Sequence, residues 1–175
     1  MPSPLVPADA ILLDLPAADR QAALAALSEA MHRALARDVG LGCDATTFHE
    51  AVLTREADRA TALGEGFACP HVRLAGLGRL AVGLAALRAP VLWGDDQPVE
   101  WLAMVAAPQA EPAAALKTMA RLAGLAQAIE TRPFLRQARD PDEVARWLGS
   151  KLRGDEAPLM AADIMRTSLG QIGPD

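Results

Sequence analysis

Apolar positions occur along the chain in two patterns, short continuous runs and helical spacing, and these patterns predict the elements of the fold. Short apolar runs predict strands at residues 11–15, 80–84, 91–93 and 99–105. Helical spacing predicts helices at about 17–37, 47–56, 113–129 and 132–136, and a last one from 140 onward. Strands that alternate with helices predict an α/β fold in which helices cover both faces of a sheet. The run at 99–105 is nearly all apolar, so we expect it to be a central strand.

Local signals mark several helix starts. Thr47 with Glu50 three positions later predicts a capping box. Pro16 closes the first strand and suits the start of the helix that follows it. Asp140 and Pro141 are typical of an N-cap and first helical position, so the last helix is expected to begin there.

The two ends of the chain lack this regular pattern. Residues 1–10 contain three prolines and are expected to form a loose tail before a domain at 11–152. Residues 153–175 open with linker composition, and Ala162–Thr167 resembles the entry of a CBS domain that the chain would end too soon to complete. The alternative for this end is an ordinary helix over Leu159–Met165 followed by a frayed tail.

Composition limits the possible partners and compartment. Apolar residues make up 51% of the 175 residues, which indicates an ordered globular chain. The net charge of −5, without a long basic run, argues against nucleic acid as a partner. Two cysteines do not form a disulfide framework. Because the N-terminus lacks a signal-peptide pattern and no run is long enough for a membrane span, we expect a cytoplasmic protein without membrane insertion.

The candidate chemistry lies between Arg55 and His71. Pro70 fixes its own φ and lacks an N–H, so it should hold His71 at the end of the apolar run 67–69. Arg55 falls in the last turn of a predicted helix, where a cation also suits the helix dipole. A positioned imidazole and a guanidinium together can carry a phosphoryl group.

This segment resembles a family signature. The residues that carry it keep the family's spacing: Arg55, Glu56, Thr61, Gly64, Gly66, Pro70 and His71. The stretch is similar to the enzyme IIA domains of the phosphotransferase system, of the fructose, mannitol and nitrogen-regulatory type. The resemblance implies a three-layer α/β sandwich with a mixed sheet, in which His71 accepts a phosphoryl group. No metal or other cofactor is expected.

The resemblance also implies roles for the other residues and for partners. Arg55 would steady the phosphoryl oxygens, and Thr61 would donate its hydroxyl to the phosphoryl group or to the loop. Glu56 would anchor the loop or balance Arg55, while Gly64 and Gly66 would let the backbone turn beside the site. The donor would be an HPr-type phosphocarrier protein, and the recipient a IIB domain or a regulatory target. The CBS-like entry favours a regulatory role.

Three departures from the family pattern motivate a second hypothesis. Cys69 replaces an aliphatic residue, Val72 follows the histidine where a small residue is usual, and Ala115 stands where many members carry a second histidine. The chain could therefore be a IIA-like sensory or interaction module that does not turn over phosphate. The presence of His71 and Arg55 favours the first hypothesis, a domain that carries a phosphoryl group.

Two further interpretations of His71 stay open at this point. Cys69 and His71 are two positions apart and would share one side of a strand, so they could join Cys43 and His49 in a metal site. Neither a CxxC nor an HxxxH spacing supports that site. A plain core histidine is the other alternative.

Overall fold

The computed structural model describes residues 5–38, 41–58, 61–94 and 96–153. Its strands are β1 (Ile11–Leu15), β2 (Ala62–Gly64), β3 (Phe67–Ala68), β4 (His71–Leu74), β5 (Ala81–Trp93) and β6 (Gln97–Pro108). Its helices are α1 (Arg20–Asp38), α2 (Ala45–Asp58), α3 (Pro112–Gln127), α4 (Thr131–Gln137) and α5 (Pro141–Arg153), and a 3₁₀ turn at Ala8–Ala10 precedes β1.

The described strands form one mixed sheet in the order β1-β5-β6-β3-β2. The β5–β6 and β2–β3 pairs are antiparallel, whereas β1 runs parallel to β5, and both β3 and β4 run parallel to β6. Strand β6 therefore lies in the centre, as its apolar sequence predicted. Strands β3 and β4 follow each other along the same side of β6, and among the described strands β2 pairs with β3 alone.

Successive side chains of β6 enter two separate cores, because neighbouring residues of a strand point to opposite faces. Leu102 and Met104 pack in the core under α1 and α2, while Trp101, Ala103 and Val105 pack in the core under α3, α4 and α5. The α/β sandwich with helices on both faces is thereby confirmed. The predicted α5 start is also confirmed, since Asp140 Oδ1 accepts the N–H of Asp142 at 3.0 Å.

The predicted starts of the first two helices are wrong. Helix α2 begins at Ala45 because Asp44 Oδ1 accepts the N–H of Thr47 at 2.8 Å, so Asp44 is the cap and Thr47 lies inside the first turn. Asp19 Oδ1 likewise accepts the N–H of Ala22 at 2.8 Å, which starts α1 at Arg20 rather than near residue 17. Aspartate at these positions satisfies helix N–H groups that otherwise lack a partner.

Two further features differ from the sequence-based predictions: one strand boundary and the N-terminal tail. The runs at 80–84 and 91–93 belong to one strand, β5, which pairs with β6 on both sides of an irregularity between Ala86 and Val91. The loose tail is wrong for residues 5–10: Val6 and Ala10 are buried, and the Leu5 carbonyl accepts the N–H of Val82 at 2.9 Å. The CBS-like segment lies outside the described residues.

Gly83 marks the closest approach between helix α1 and the sheet. A Cβ at this position would lie 2.5 Å from Met31 Sδ and 3.0 Å from the Ala10 carbonyl oxygen. We expect Gly83→Ala to lower the free energy of unfolding by about 1–3 kcal/mol, because the backbone of Ala10 cannot move as easily as a side chain. Urea denaturation measures this change. The control is Gly124→Ala in α3, where nothing lies within 4 Å; it should stabilise the protein by about 0.5–1 kcal/mol. Equal effects of the two substitutions would contradict the close packing.

Candidate functional site

His71 is placed by a break between two strands. Pro70 is buried, separates β3 from β4, and its carbonyl accepts the N–H of Val105 at 3.0 Å. His71 therefore begins β4 opposite Val105, rather than ending a strand as the sequence predicted. The residues after it continue the sheet to Leu74. The ring is partly buried at the edge of the sheet.

One hydrogen bond orients the His71 ring. Its Nδ1 lies 3.2 Å from the carbonyl oxygen of Cys69. Because a carbonyl only accepts, a neutral ring in this position carries its proton on Nδ1 and donates it to Cys69. The lone pair is then on Nε2, which is the nucleophilic nitrogen of this tautomer.

His71 lies in a cleft of about 1010 Å³ between α2, β4 and the first turns of α3. Arg55 enters the cleft from the last turn of α2, and Arg73 follows His71 on β4 at the spacing of two that places both side chains on one side of the strand. Ala115 and Leu116 form the wall contributed by α3. The structure thus brings together His71 and Arg55, as predicted from the sequence, and adds a second guanidinium.

Burial is the largest influence on the charge of His71, and it lowers the pKa of the imidazole. Arg55 and Arg73 lower the pKa further by repulsion, while the Cys69 carbonyl and the Glu56 carboxylate oppose them. The net direction is downward, so the neutral form, which can attack as a nucleophile, dominates at neutral pH. Arg73 was missed by the sequence analysis, although its position two residues after His71 was a usable signal.

Glu56 is buried and accepts three hydrogen bonds. Its Oε2 accepts the N–H of Thr61 at 2.9 Å and the indole N–H of Trp93 at 2.8 Å, and its Oε1 accepts the Thr61 hydroxyl at 2.7 Å. The side chain is 3% exposed. The sequence left open whether Glu56 anchors the loop and whether the Thr61 hydroxyl bonds to the loop. In the structure Glu56 holds the loop through Thr61, and the Thr61 hydroxyl donates to Glu56.

Gly64 and Gly66 form a tight hairpin between β2 and β3. Glu65 and Gly66 have φ values of 55° and 74°, as a two-residue hairpin turn with two positive φ angles requires. Neither glycine lines the cleft. The carbonyl oxygen of Gly66 accepts the N–H groups of Glu100 and Trp101 on β6. Trp101 lies four residues, or about 13 Å, along β6 from Val105, the residue that pairs with His71. The expected turn beside the site is therefore wrong: the hairpin positions the strand that leads to it.

The three residues that depart from the family pattern have distinct places. Ala115 is 6% exposed and lines the cleft with His71. Val72 also lines the cleft, and it packs in the core under α1 and α2. Burial, with the nearby Glu56 carboxylate, raises the pKa of the Cys69 thiol to about 12. Such a thiol is a poor metal ligand. Among the described residues, no three His, Cys, Asp or Glu side chains are grouped to hold a metal ion.

Comparison with known proteins identifies the family. Residues 4–151 match the family described as phosphoenolpyruvate-dependent sugar phosphotransferase system, EIIA 2. The chain belongs to this family. Within the described ranges, no helix of this EIIA domain is long and apolar enough to cross a membrane.

Two relatives illustrate the range of proteins that contain such a domain. The chain is 35% identical over 131 residues to the 2-O-alpha-mannosyl-D-glycerate-specific EIIABC component of Escherichia coli, covering 70% of this chain and 20% of the relative. It is 34% identical over 97 residues to a nitrogen regulatory protein of Bradyrhizobium diazoefficiens, covering 54% of this chain and 63% of the relative. The chain therefore spans less than two thirds of either relative.

Solved structures agree with the fold. The nitrogen regulatory protein IIA-Ntr from Neisseria meningitidis superposes with a TM-score of 0.72 at 23% identity, covering 82% of this chain and 96% of that chain. IIA mannitol from Escherichia coli superposes with a TM-score of 0.64 at 22% identity, covering 81% and 96%. At these identities the likeness supports the sandwich fold of the EIIA domain alone.

Removing the charge of Glu56 tests its role as an anchor. Glu56→Gln retains the shape but replaces an oxygen that accepts hydrogen bonds by an NH₂ group that cannot. We expect a loss of about 1–3 kcal/mol in the free energy of unfolding, because a buried donor of Thr61 or Trp93 is left without an acceptor. Urea denaturation followed by tryptophan fluorescence measures it. Glu50→Gln, an exposed position on the same helix, is the matched control and should change little; equal stability of both variants would refute the anchor.

A pH titration tests the electrostatics of the cleft. The ¹H–¹³C signal of His71 Cε1 should titrate below the ordinary histidine pKa of about 6.5, because burial and the two arginines disfavour the imidazolium. At a pH between the His71 pKa of the folded chain and that of the unfolded chain, the unfolded chain binds a proton at His71 and the folded chain does not. The contribution of His71 to stability is therefore complete above the unfolded pKa and is lost as the pH falls through the folded pKa. Arg73→Gln should raise the midpoint, and Arg146→Gln on α5 should leave it unchanged. A midpoint at or above the ordinary value would contradict this picture.

Proposed function

We propose that this EIIA domain is a phosphohistidine carrier in which His71 Nε2 accepts a phosphoryl group, in a regulatory branch of the phosphotransferase system. The observation that carries the proposal is the geometry of the cleft, where a half-buried imidazole with Nε2 as its nucleophile lies with two arginines. Family membership supports the reaction class, and the similarity to nitrogen regulatory proteins supports the regulatory assignment.

The transfer step exchanges one phosphorus–nitrogen bond for another. His71 Nε2 attacks the phosphorus of a phosphohistidine on the donor protein and forms a new P–N bond. The P–N bond of the donor breaks, and the donor imidazole leaves with the electron pair. The proton on His71 Nδ1 stays in its hydrogen bond to Cys69, which stabilises the positive charge that develops on the ring.

The two guanidinium groups supply the electrostatic part of the reaction. The transferred group carries negative charge on three oxygens, and transfer depends mainly on positioning and charge stabilisation. Arg55 and Arg73 approach the ring from a helix end and from the strand itself, so they can bind different oxygens. Arginine is suited to this task because its donors form a planar fork.

The donor is expected to be an HPr-type phosphocarrier, and the recipient a IIB domain or a regulatory target. The rim of the cleft carries Leu116, which is 65% exposed and offers apolar contact beside His71. A solved complex of IIA mannitol with phosphorylated IIB mannitol from Escherichia coli, which shares the fold, illustrates one such pair.

A second candidate function is favoured by one observation. Ala115 lines the same cleft as His71 at the position where the family pattern places a second histidine, so a side chain able to orient or support the active imidazole is missing there. The domain would then act as a sensory or interaction module without turnover. The experiment below separates the two functions.

Phosphoryl transfer can be followed by intact mass. With phosphoenolpyruvate, enzyme I and HPr, the wild-type chain should gain one phosphoryl group and His71→Ala none. Arg55→Gln should slow the initial rate by about a hundredfold, because it removes a donor to the developing charge. Arg146→Gln is the matched control and should retain the wild-type rate. If the wild type gains no mass while a known IIA domain in the same mixture does, the carrier function fails for that donor and the sensory module becomes the better account.

Restoring the second histidine gives an independent test. Ala115→His places an imidazole in the same cleft, and we expect it to increase the initial rate of transfer several-fold without changing the acceptor. The same mass assay measures it, with Ala120→His on the exposed side of α3 as the control. An Ala115→His rate equal to or below that of the control would contradict a role for this position in transfer.

A further inference from the structure

A second cleft, of about 370 Å³, lies between β5, β6 and α4 and shares no lining residue with the cleft of His71. We call it the arginine cleft, because four arginines line it: Arg88, Arg132, Arg136 and Arg139. Two carboxylates, Asp14 and Glu100, are among the lining residues in the part of the chain that the structure describes. The cleft is therefore positive on a chain whose net charge is −5.

The ion pairs inside the arginine cleft leave this excess in place. Arg88 binds Asp14 through two bonds of 3.2 Å, and Glu100 accepts from Arg136 at 2.5 Å and from Arg132 at 3.3 Å. Glu65 lies 3.8 Å from Arg132 at the rim. Counting Glu65, the arginines still outnumber the carboxylates.

Arg139 differs from the other three arginines of the cleft because the nearby Asp14 carboxylate attracts its charge without a hydrogen bond between them. Its Nη1 donates to the backbone carbonyls of Arg136 and Ala138, and none of its hydrogen bonds in the described structure goes to a carboxylate. A guanidinium has five N–H donors, so several remain to bind a ligand. An anion in the cleft could reach this charge without breaking an ion pair.

One residue of the wall carries a buried hydrogen-bond donor. Trp101 is 1% exposed and lines the arginine cleft, and its indole N–H has no hydrogen-bond partner among the described residues. Buried N–H groups nearly always have an acceptor. By contrast, the indole N–H of Trp93 has one in Glu56. Trp101 is therefore a local reporter for the wall of the arginine cleft, and Trp93, which lies outside this cleft, is its natural control.

The rest of the wall is apolar. Leu87, Pro90, Leu135 and Ala138 line the cleft beside the arginines. Its volume falls in the range of small-molecule sites, which combine apolar walls with a few converging polar groups. The best match is a ligand with a dianionic end and a small organic body. We propose that the arginine cleft binds a small phosphomonoester, with its phosphate oxygens on the guanidinium groups and its organic body against Leu135 and Pro90.

Phenyl phosphate is a suitable probe, because it combines a dianion with a small apolar ring. In ¹H–¹⁵N spectra at constant ionic strength, the Trp101 indole signal should shift and saturate as the probe is added. The Trp93 indole signal, whose partner is Glu56, should stay in place. Inorganic phosphate should bind more weakly, because it lacks the organic body. Absence of a saturable Trp101 shift at millimolar phenyl phosphate would overturn the proposal.

Charge variants with opposite expected signs sharpen the test. Arg139→Gln breaks no carboxylate pair and should weaken the affinity for phenyl phosphate at least about tenfold. Glu100→Gln removes the carboxylate charge that competes for Arg132 and Arg136, and it should tighten the binding of phenyl phosphate several-fold. A folding defect would weaken binding, so it cannot produce this increase in affinity. Arg146→Gln, outside the cleft, and Arg55→Gln, in the other cleft, should leave the Trp101 response unchanged. Equal affinity in Arg139→Gln and wild type, or loss of the response in Arg55→Gln, would refute the site.

Discussion

The site depends on one buried carboxylate. Glu56 joins three parts of the chain: the last turn of α2, the loop that enters β2 through Thr61, and the end of β5 through Trp93. An acceptor that satisfies two N–H groups and a hydroxyl is costly to replace, because each donor would otherwise be buried alone. Its neighbour in sequence is Arg55, so the same anchor that fixes the loop also fixes the helix end from which Arg55 enters the cleft.

The second constraint is the break between β3 and β4 at Pro70. A proline cannot donate to the sheet, so the strand stops at Ala68 and begins again at His71. The interruption leaves the Cys69 carbonyl available to the His71 ring, which a regular strand would have used in the ladder. The backbone break thus decides the tautomer of the imidazole, and with it the nitrogen that can attack. Local structure and chemistry are coupled at this residue.

The sequence was sufficient to predict the layered fold, because apolar spacing is a local property and β6 is buried on both faces. It was also sufficient to pair Arg55 with His71, through their spacing and the family pattern. It was insufficient for β2 and β4, since short, partly exposed edge strands have little apolar periodicity. The partners of Glu56 were equally hidden, because Trp93 lies 37 positions away and meets it only in the folded chain. Arg73 was overlooked because β4, the strand on which it follows His71, was not predicted.

The identity of the phosphorylated nitrogen tests the central claim most directly. After phosphorylation with ¹⁵N-labelled protein, long-range ¹H–¹⁵N spectra of the imidazole distinguish a phosphoryl group on Nε2 from one on Nδ1. The hydrogen bond from Nδ1 to Cys69 predicts phosphorylation of His71 at Nε2, with Nδ1 still protonated. A phosphoryl group on Nδ1, or on a histidine other than His71, would contradict the account of how this site is built.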